Sequence, residues 1–273
     1  MNYNETSTYH ALLPLIISME VIISLSTYYA ITWKNRKHSE ETLSRLHKSF
    51  IGIFLVEFWY WITRPLLNFF KLIKITPNGI TGISILLSFI TGALYSFSFI
   101  ALGGWILVLS ASLDMLDGAL ARETGQSTKA GAFFDSCSDR YSDSFVFIGI
   151  ALFFLNKSFS LSAGTFTISI SDYIGVFVIM TILLGAASMS YVKARGDVAG
   201  ASTKRGLMQR PERVMMLSIF SVLDPFFKVI LTKYGYNPDL VLIGMLITMS
   251  VLINISAIVR MAHLFTIIKG MES

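Results

Sequence analysis

The chain has 273 residues, 53% of them hydrophobic and only 14% charged, with a formal net charge of +5. A mean hydropathy of +0.63 is too apolar for an ordinary soluble domain and reads as a polytopic, all-α membrane protein. One cysteine excludes an internal disulfide framework; with no basic-aromatic nucleic-acid motif in the chain, the positive charge points to lipid headgroups and phosphorylated substrates, not nucleic acid.

The first apolar segment, about residues 11–33, is long enough to cross a bilayer, for which about 20 residues suffice. The leading MNYNETSTYH carries no Lys or Arg and no small-residue cleavage site follows the segment, so a retained transmembrane helix is expected rather than a signal peptide. Lys34, Arg36, Lys37, Arg45 and Lys48 make the next linker cytoplasmic by the positive-inside rule, with the N-terminus on the other side. Residues 49–74 mix Trp59, Tyr60, Trp61 and other aromatics with Arg64, Lys71 and Lys74, and Pro65 interrupts them. An interfacial amphipathic segment lying along the cytoplasmic headgroups is expected there.

Pro77 suits the start of a helix that Asn78 or Thr76 can cap, and the second span runs on to about Ile100. A short uncharged turn at Gly103 and Gly104 is expected to return the chain through a third span to Asp114 and Asp117. A fourth span covers about residues 131–155, a polar external loop 156–171, and a fifth span 174–191. The polar stretch KARGDVAGASTKRGLMQRPER follows, with Lys193, Arg195, Lys204, Arg205, Arg210 and Arg213. Two more spans, about 214–230 and 240–259, end in Arg260, His263 and Lys269. In this threading every Lys and Arg is cytoplasmic except Lys157, Lys228 and Lys233, which favours seven spans with the N-terminus out and the C-terminus in. Residues 1–48 are then an N-terminal helix with its basic linker, and 49–273 a juxtamembrane helix with a six-span domain.

The stretch between Asp114 and Asp143 gathers carboxylates at a membrane surface. Asp114 and Asp117 stand at i and i+3, Asp135 and Asp139 at i and i+4, so each pair points to one side of its own helix. An Asp costs about 3 kcal/mol at the centre of a membrane helix, so four unpaired ones would cost roughly 12 kcal/mol at most, and something must neutralise them. An all-oxygen set without His selects Mg2+ or Mn2+ over Zn2+. Two such ions bridged by Asp114, Asp117 and Asp135 would clamp a diphosphate, with Asp139 touching the second ion and taking a proton. Gly118 and Gly131 would let a nucleotide or metal approach the backbone closely. Cys137 should point away from the pair around it, and Asp143 is expected to pair with Arg140, its i−3 neighbour.

Asp114, Asp117, Gly118, Ala121, Arg122, Gly131, Asp135 and Asp139 match, at every spacing, the pattern DxxDGxxAR...GxxxDxxxD. On these residues the chain resembles the CDP-alcohol phosphatidyltransferase family. The resemblance implies a six-helix membrane core, to which the span before Lys34 is additional, working as a homodimer. It implies a CDP-linked lipid donor such as CDP-diacylglycerol, an alcohol acceptor and CMP as leaving group. It assigns metal binding to Asp114, Asp117, Asp135 and Asp139, with Asp139 also the proton acceptor. Donor contacts fall to Gly118, Arg122 and Thr128 and to the segment from Asn78 to Thr81, where capping explains Asn78 and Thr81 nearly as well.

SYVKARGDVAG and GLMQRPER are similar to the SYxKARAE and ERPER segments of the phosphatidylinositol phosphate synthase subgroup, which joins CDP-diacylglycerol to inositol 1-phosphate. That similarity carries acceptor-phosphate binding onto Lys193, Arg213 and Arg260, and a phosphorylated acceptor does need cations beyond those the donor needs. The plainer reading of these three is as positive-inside anchors, and for Lys204 and Arg205 it is preferred. Gly196 and Asp197 replace the subgroup's Ala and Glu, which bears on polyol contacts. The function expected is phosphatidyl transfer to a phosphorylated polyol, inositol 1-phosphate favoured over glycerol 3-phosphate, inositol or another alcohol. From a different class, a divalent-cation transporter would place carboxylates near the bilayer midplane and show paired repeats, and no repeat is present in the sequence.

Overall fold

Backbone polar groups inside a bilayer have no water to bind, so long apolar segments satisfy them internally, as helices. The computed structural model describes residues 5–33, 53–160, 165–166, 169–203 and 208–272. Their helices are α1 (Glu5–Trp33), α2 (Ile53–Leu72), α3 (Pro77–Ser96), α4 (Ile100–Glu123), α5 (Lys129–Ser158), α6 (Ile170–Val198), α7 (Arg210–Lys233) and α8 (Leu240–Glu272). A two-residue antiparallel ribbon pairs β1 (Phe159–Ser160) with β2 (Thr165–Phe166). The expected basic linker, from Lys34 to Lys48, and the anchors Lys204 and Arg205 lie outside the described residues.

Helices α3 to α8 close a ring: α3 packs on α4 and α5, α4 on α7, α7 on α8, α8 on α6, and α6 on α5. Of these, α3, α4, α6, α7 and α8 are long and apolar enough to cross a membrane, and the protein is an integral membrane protein. The remaining ring member, α5, has the length but carries Asp135, Asp139, Arg140 and Asp143 in its first half. The inner wall is apolar, with Tyr95, Phe154, Ile182, Leu246, Met249 and Ile253 buried. Outward faces are apolar as well. On α8, Ile247, Val251, Ile255 and Ile258 recur at helical spacing and are exposed, as a lipid-facing stripe must be.

Because the ring has lipid rather than water outside it, close backbone approach and interhelical hydrogen bonds hold it together. Gly92 of α3 and Gly149 of α5 meet where the helices cross: a Cβ on Gly149 would stand 2.2 Å from the Gly92 carbonyl oxygen, and one on Gly92 2.2 Å from that of Phe145. Ser84 and Ser88 of α3 share the Ser110 hydroxyl of α4 at 3.2 and 2.9 Å. Tyr95 donates to Ser221 of α7 at 2.9 Å, and Asn254 of α8 donates to the Thr181 carbonyl of α6 at 3.0 Å.

Several boundaries differ from the sequence reading. The turn expected at Gly103 and Gly104 lies earlier, at residues 97–99, where Ser98 takes a left-handed φ of 68°. The two glycines sit inside α4 as packing positions, Gly103 against the Tyr95 ring and Gly104 against Ser221 and Val222 of α7. Pro65 does not interrupt α2, which runs through it and keeps Pro65 exposed while burying Thr63, Leu67 and Phe70 on one side and Phe58 on the other. Helix α6 continues past Tyr191 to Val198, and α8 past Val259 to Glu272, so Lys193 and Arg260 are helical. The expected first span lies within α1, whose Tyr29 packs edge-on against Phe58 of α2 at 5.6 Å and which also touches α7.

The end of the ring away from the carboxylate stretch explains two of the three misplaced lysines. Lys157 contacts Asp239 at 2.5 Å and Asp172 at 3.6 Å, and Lys228 contacts Asp224 at 2.9 Å and Asp239 at 3.6 Å. Asp172, Asp224 and Asp239 are buried, so the lysines on this side are partners of carboxylates and do not set orientation.

Substituting Gly149→Ala is expected to cost about 1–3 kcal/mol by forcing two backbones apart. Thermal unfolding in detergent checks this against Gly244→Ala on α8, where a Cβ meets nothing within 4 Å and no loss is expected.

Candidate active site

Alternation of the ring helices brings the C-terminal ends of α4, α6 and α8 to the same end as the N-terminal ends of α3, α5 and α7. The connection from α4 to α5 sets the facing of the carboxylates. Gly125 takes φ +67°, letting Gln126 N–H reach the Ala121 carbonyl at 2.8 Å and Gly125 N–H that of Arg122 at 3.4 Å, a glycine-terminated helix end. Thr128 then caps α5, its hydroxyl accepting from Gly131 N–H at 3.0 Å. The chain turns back on itself, and the two acidic helix faces meet.

Asp114, Asp135 and Asp139 are the carboxylates so gathered, each half-buried, with one oxygen apiece lying within 4.8 Å of the others. Opposite ligands of a six-coordinate Mg2+ are about 4.2 Å apart, so a small side-chain rotation suffices to share one ion. Asp139 Oδ1 is buried without a hydrogen bond of regular geometry, and its close partner is a guanidinium, that of Arg210, at 2.8 Å. Asp117 is outside this set. It is 5% exposed and accepts a 2.5 Å hydrogen bond at Oδ2 from the Thr81 hydroxyl of α3. Thr81 is thus no cap: Thr76 caps α3 by accepting from Gly79 N–H at 3.2 Å. Asn78 is exposed beside the first turn of α5, its Oδ1 3.5 Å from where a Cβ on Gly131 would stand.

Arg122, at the end of α4, donates to Tyr60 of α2 at 3.4 Å, and a Cβ on Gly118 would come within 3.3 Å of its Nη1. Cys137 is exposed, turned from the cluster as expected. Asp143 does form an ion pair, but with partners other than Arg140. Its Oδ1 lies 3.3 Å from Arg210 Nε and its Oδ2 3.3 Å from Arg213 Nη2, while Arg140 approaches Asp139 at 3.5 Å. Local i−3 spacing lost to two guanidiniums from α7 that reach deeper into the bundle.

Arg210 is the site residue that the motif reading passed over. Its Nη1 lies 2.5 Å from Asp114 Oδ2 and 2.8 Å from Asp139 Oδ1. The signal for it was present: Arg210 stands at i−3 from Arg213, on the same face of α7. Arg213 is only 5% exposed and its Nε and Nη1 have no hydrogen-bond partner. Arg260, 6% exposed, donates to the Met189 carbonyl at 3.4 Å and feels the charge of Arg213. Lys193 is exposed on α6. Gly196 is explained by packing, since a Cβ there would stand 2.7 Å from Leu264 Cδ1 and 2.9 Å from the Ala201 carbonyl.

The profile of the CDP-alcohol phosphatidyltransferase family matches residues 74–268, which take in the ring and every carboxylate above. The chain belongs to this family. Among relatives of this phosphatidyltransferase, the archaetidylinositol phosphate synthase of Pyrococcus horikoshii is 34% identical over 151 residues, covering 55% of this chain and 71% of the relative. The crystal structure of Mycobacterium tuberculosis phosphatidylinositol phosphate synthase with CDP-DAG bound superposes with a TM-score of 0.61 at 25% identity, covering 75% of this chain and 94% of that one. The same mycobacterial enzyme in complex with manganese and citrate gives a TM-score of 0.61 at 24% identity, covering 75% and 89%.

In a metal-dependent phosphatidyltransferase, a hydrogen bond that orients a carboxylate bordering the acidic cluster is felt in turnover. Thr81→Val is expected to lower activity by about 10–100-fold by freeing Asp117, while Thr81→Ser keeps the hydroxyl and most of the activity. CMP release by the purified protein is the measurement.

Proposed function

We propose that this enzyme transfers the phosphatidyl group of CDP-diacylglycerol to a hydroxyl of inositol 1-phosphate and releases CMP. The observation that carries the acceptor is the pair Arg213 and Arg260, two buried guanidiniums near one another, the first of them on Asp143, and unneeded by a neutral alcohol. Their burial also weighs against simple membrane anchors, which belong at the water interface.

The donor set of Asp114, Asp135 and Asp139 fits Mg2+ or Mn2+, and Asp117 completes the acidic face under the hold of Thr81. When bound, such an ion neutralises the diphosphate oxygens and the charge that develops on the leaving CMP; we assign two ions, as the resemblance implies. Gly118 and Arg122 face the donor, with Tyr60 steadying the guanidinium. Thr128 and Asn78 border that side, Thr128 with its hydroxyl engaged as a cap. Asp139 takes the proton of the attacking hydroxyl as the new O–P bond forms and the bond from phosphorus to the CMP oxygen breaks. Arg213 and Arg260 bind the acceptor's phosphate in the bidentate manner guanidiniums allow, with Lys193 at the rim.

In this reading residues 49–273 form the catalytic unit and 1–48 an added anchor, and the protein works as a homodimer among membrane lipids. The site opens to the cytoplasm, a reading supported by Arg122, Lys129, Lys193, Arg195 and Arg210 at that end of the ring.

The test is CMP release in detergent with Mg2+, offering inositol 1-phosphate, inositol and glycerol 3-phosphate in parallel, each with ester-linked and ether-linked CDP-lipids. Inositol 1-phosphate is expected to support turnover and the other two not; preference for glycerol 3-phosphate would overturn the acceptor assignment. Failure of every acceptor, with Mg2+ crossing sealed vesicles, would overturn the enzyme reading. Within the same assay, Arg213→Ala is expected to raise KM for inositol 1-phosphate about tenfold or more and leave KM for the CDP-lipid within about twofold. An unchanged acceptor KM would return Arg213 to an anchoring role.

A further inference from the structure

Arg210 stands where a cation belongs. Its Nη1 contacts Asp114 Oδ2 at 2.5 Å and Asp139 Oδ1 at 2.8 Å, and these residues are two of the three carboxylates able to share an ion. The guanidinium and a divalent ion compete for the same lone pairs, and two positive charges a few ångströms apart in a poorly solvated bundle repel. Without either, the gathered carboxylates would repel one another in surroundings that solvate them poorly.

The third contact differs in kind. Arg210 Nε reaches Asp143 Oδ1 at 3.3 Å, and Asp143 lies one turn beyond Asp139, outside the ion-sharing set. Asp143 is itself held in place by Arg213 Nη2 at 3.3 Å on its other oxygen. Arg210 is the first residue of α7, followed by Pro211, so its backbone is set by the helix start while its long side chain turns independently.

We propose that Arg210 is the resident counter-cation of the carboxylate site, which a divalent ion must displace, and that Asp143 retains the displaced guanidinium at the edge of the site. The proposal rests on Asp114, Asp135 and Asp139 being the metal set; it is independent of which acceptor is used. Arg210 then keeps the ion-free bundle folded and sets how tightly the ion is held, because two mutually exclusive cations weaken each other by the same factor.

The test is Mn2+ binding by the full-length protein in detergent, read from the electron paramagnetic resonance of free Mn2+, with thermal unfolding in EDTA and in saturating Mn2+. Arg210→Gln is expected to bind Mn2+ roughly tenfold or more tightly than the unaltered protein, because a competing charge is gone. In EDTA it melts below the unaltered protein, and saturating Mn2+ removes most of the difference. Arg210→Lys keeps a charge that supports the ion-free fold but lacks the fork that spans three carboxylates, and its Mn2+ affinity falls between the two. Equal or weaker binding in the Gln variant overturns the proposal and leaves the metal reading standing, since the unaltered protein still binds. Should the Gln variant not fold, a Lys variant that binds no more tightly than the unaltered protein overturns it equally. Absence of Mn2+ binding in all three proteins overturns both readings.

Discussion

Negative charge drawn together inside an apolar bundle is the constraint on which the rest of this structure depends. Carboxylates from α4 and α5 face one another because the turn at Gly125 and the cap at Thr128 reverse the chain between those helices. Nothing apolar in the ring compensates that charge. The compensation comes from across the bundle, where α7 starts with two arginines on one face and sends both into the acidic groove. The contact of α4 with α7 therefore has an electrostatic reason as well as the close packing of Gly104 on Ser221.

Two polar clusters at opposite ends of the ring show what separates a structural network from a chemical one. At the far end, Lys157 and Lys228 are shared among Asp172, Asp224 and Asp239, and the carboxylates are buried. That network ties α5, α6, α7 and the approach to α8 together. At the other end Asp114, Asp117, Asp135, Asp139 and Asp143 outnumber Arg140, Arg210 and Arg213 by a wider margin, and Asp114, Asp135 and Asp139 bring one oxygen apiece within 4.8 Å of one another. A surplus of carboxylate oxygens beside an exposed helix end suits capture of a cation from water. A buried set nearer to balance suits a staple.

How much of this could be read in the sequence follows from which interactions are local. The spacing of Asp114 with Asp117 and of Asp135 with Asp139 is a property of single helices; Asp135 and Asp139 came together with Asp114, while Asp117 turned to Thr81 of α3. The rotation of Cys137 away from them is equally local. Interactions between helices were not legible. Arg140 is the nearest basic residue to Asp143 along the helix, yet the ion pairs come from α7, and no periodicity within α5 encodes which helix crosses it. Gly103 and Gly104 look like a turn because glycine permits one; in the bundle the same absent Cβ is used for close approach, and Ser98 takes the left-handed turn position. The hydroxyl of Thr81 resembles a cap by position, but the carboxylate of a neighbouring helix is the stronger partner.

The helix that precedes the ring is coupled to the same site from outside. Helix α2 docks on α4 through Trp59, whose indole donates to Ser112 at 3.1 Å, through Tyr60 on Arg122 at 3.4 Å, and through the Lys71–Glu123 ion pair. Its apolar residues Leu67 and Phe70 join Ile80, Leu113, Leu116 and Leu120 in one buried cluster that includes the turns of α4 on either side of Asp117. A shift of α2 would therefore disturb the packing under Asp117 and the hydrogen bond on Arg122 together. In an enzyme whose donor is a lipid, this links α2 to the residues proposed to face the diphosphate. It gives the aromatic run at residues 58–61 a reason that interfacial partitioning alone does not supply.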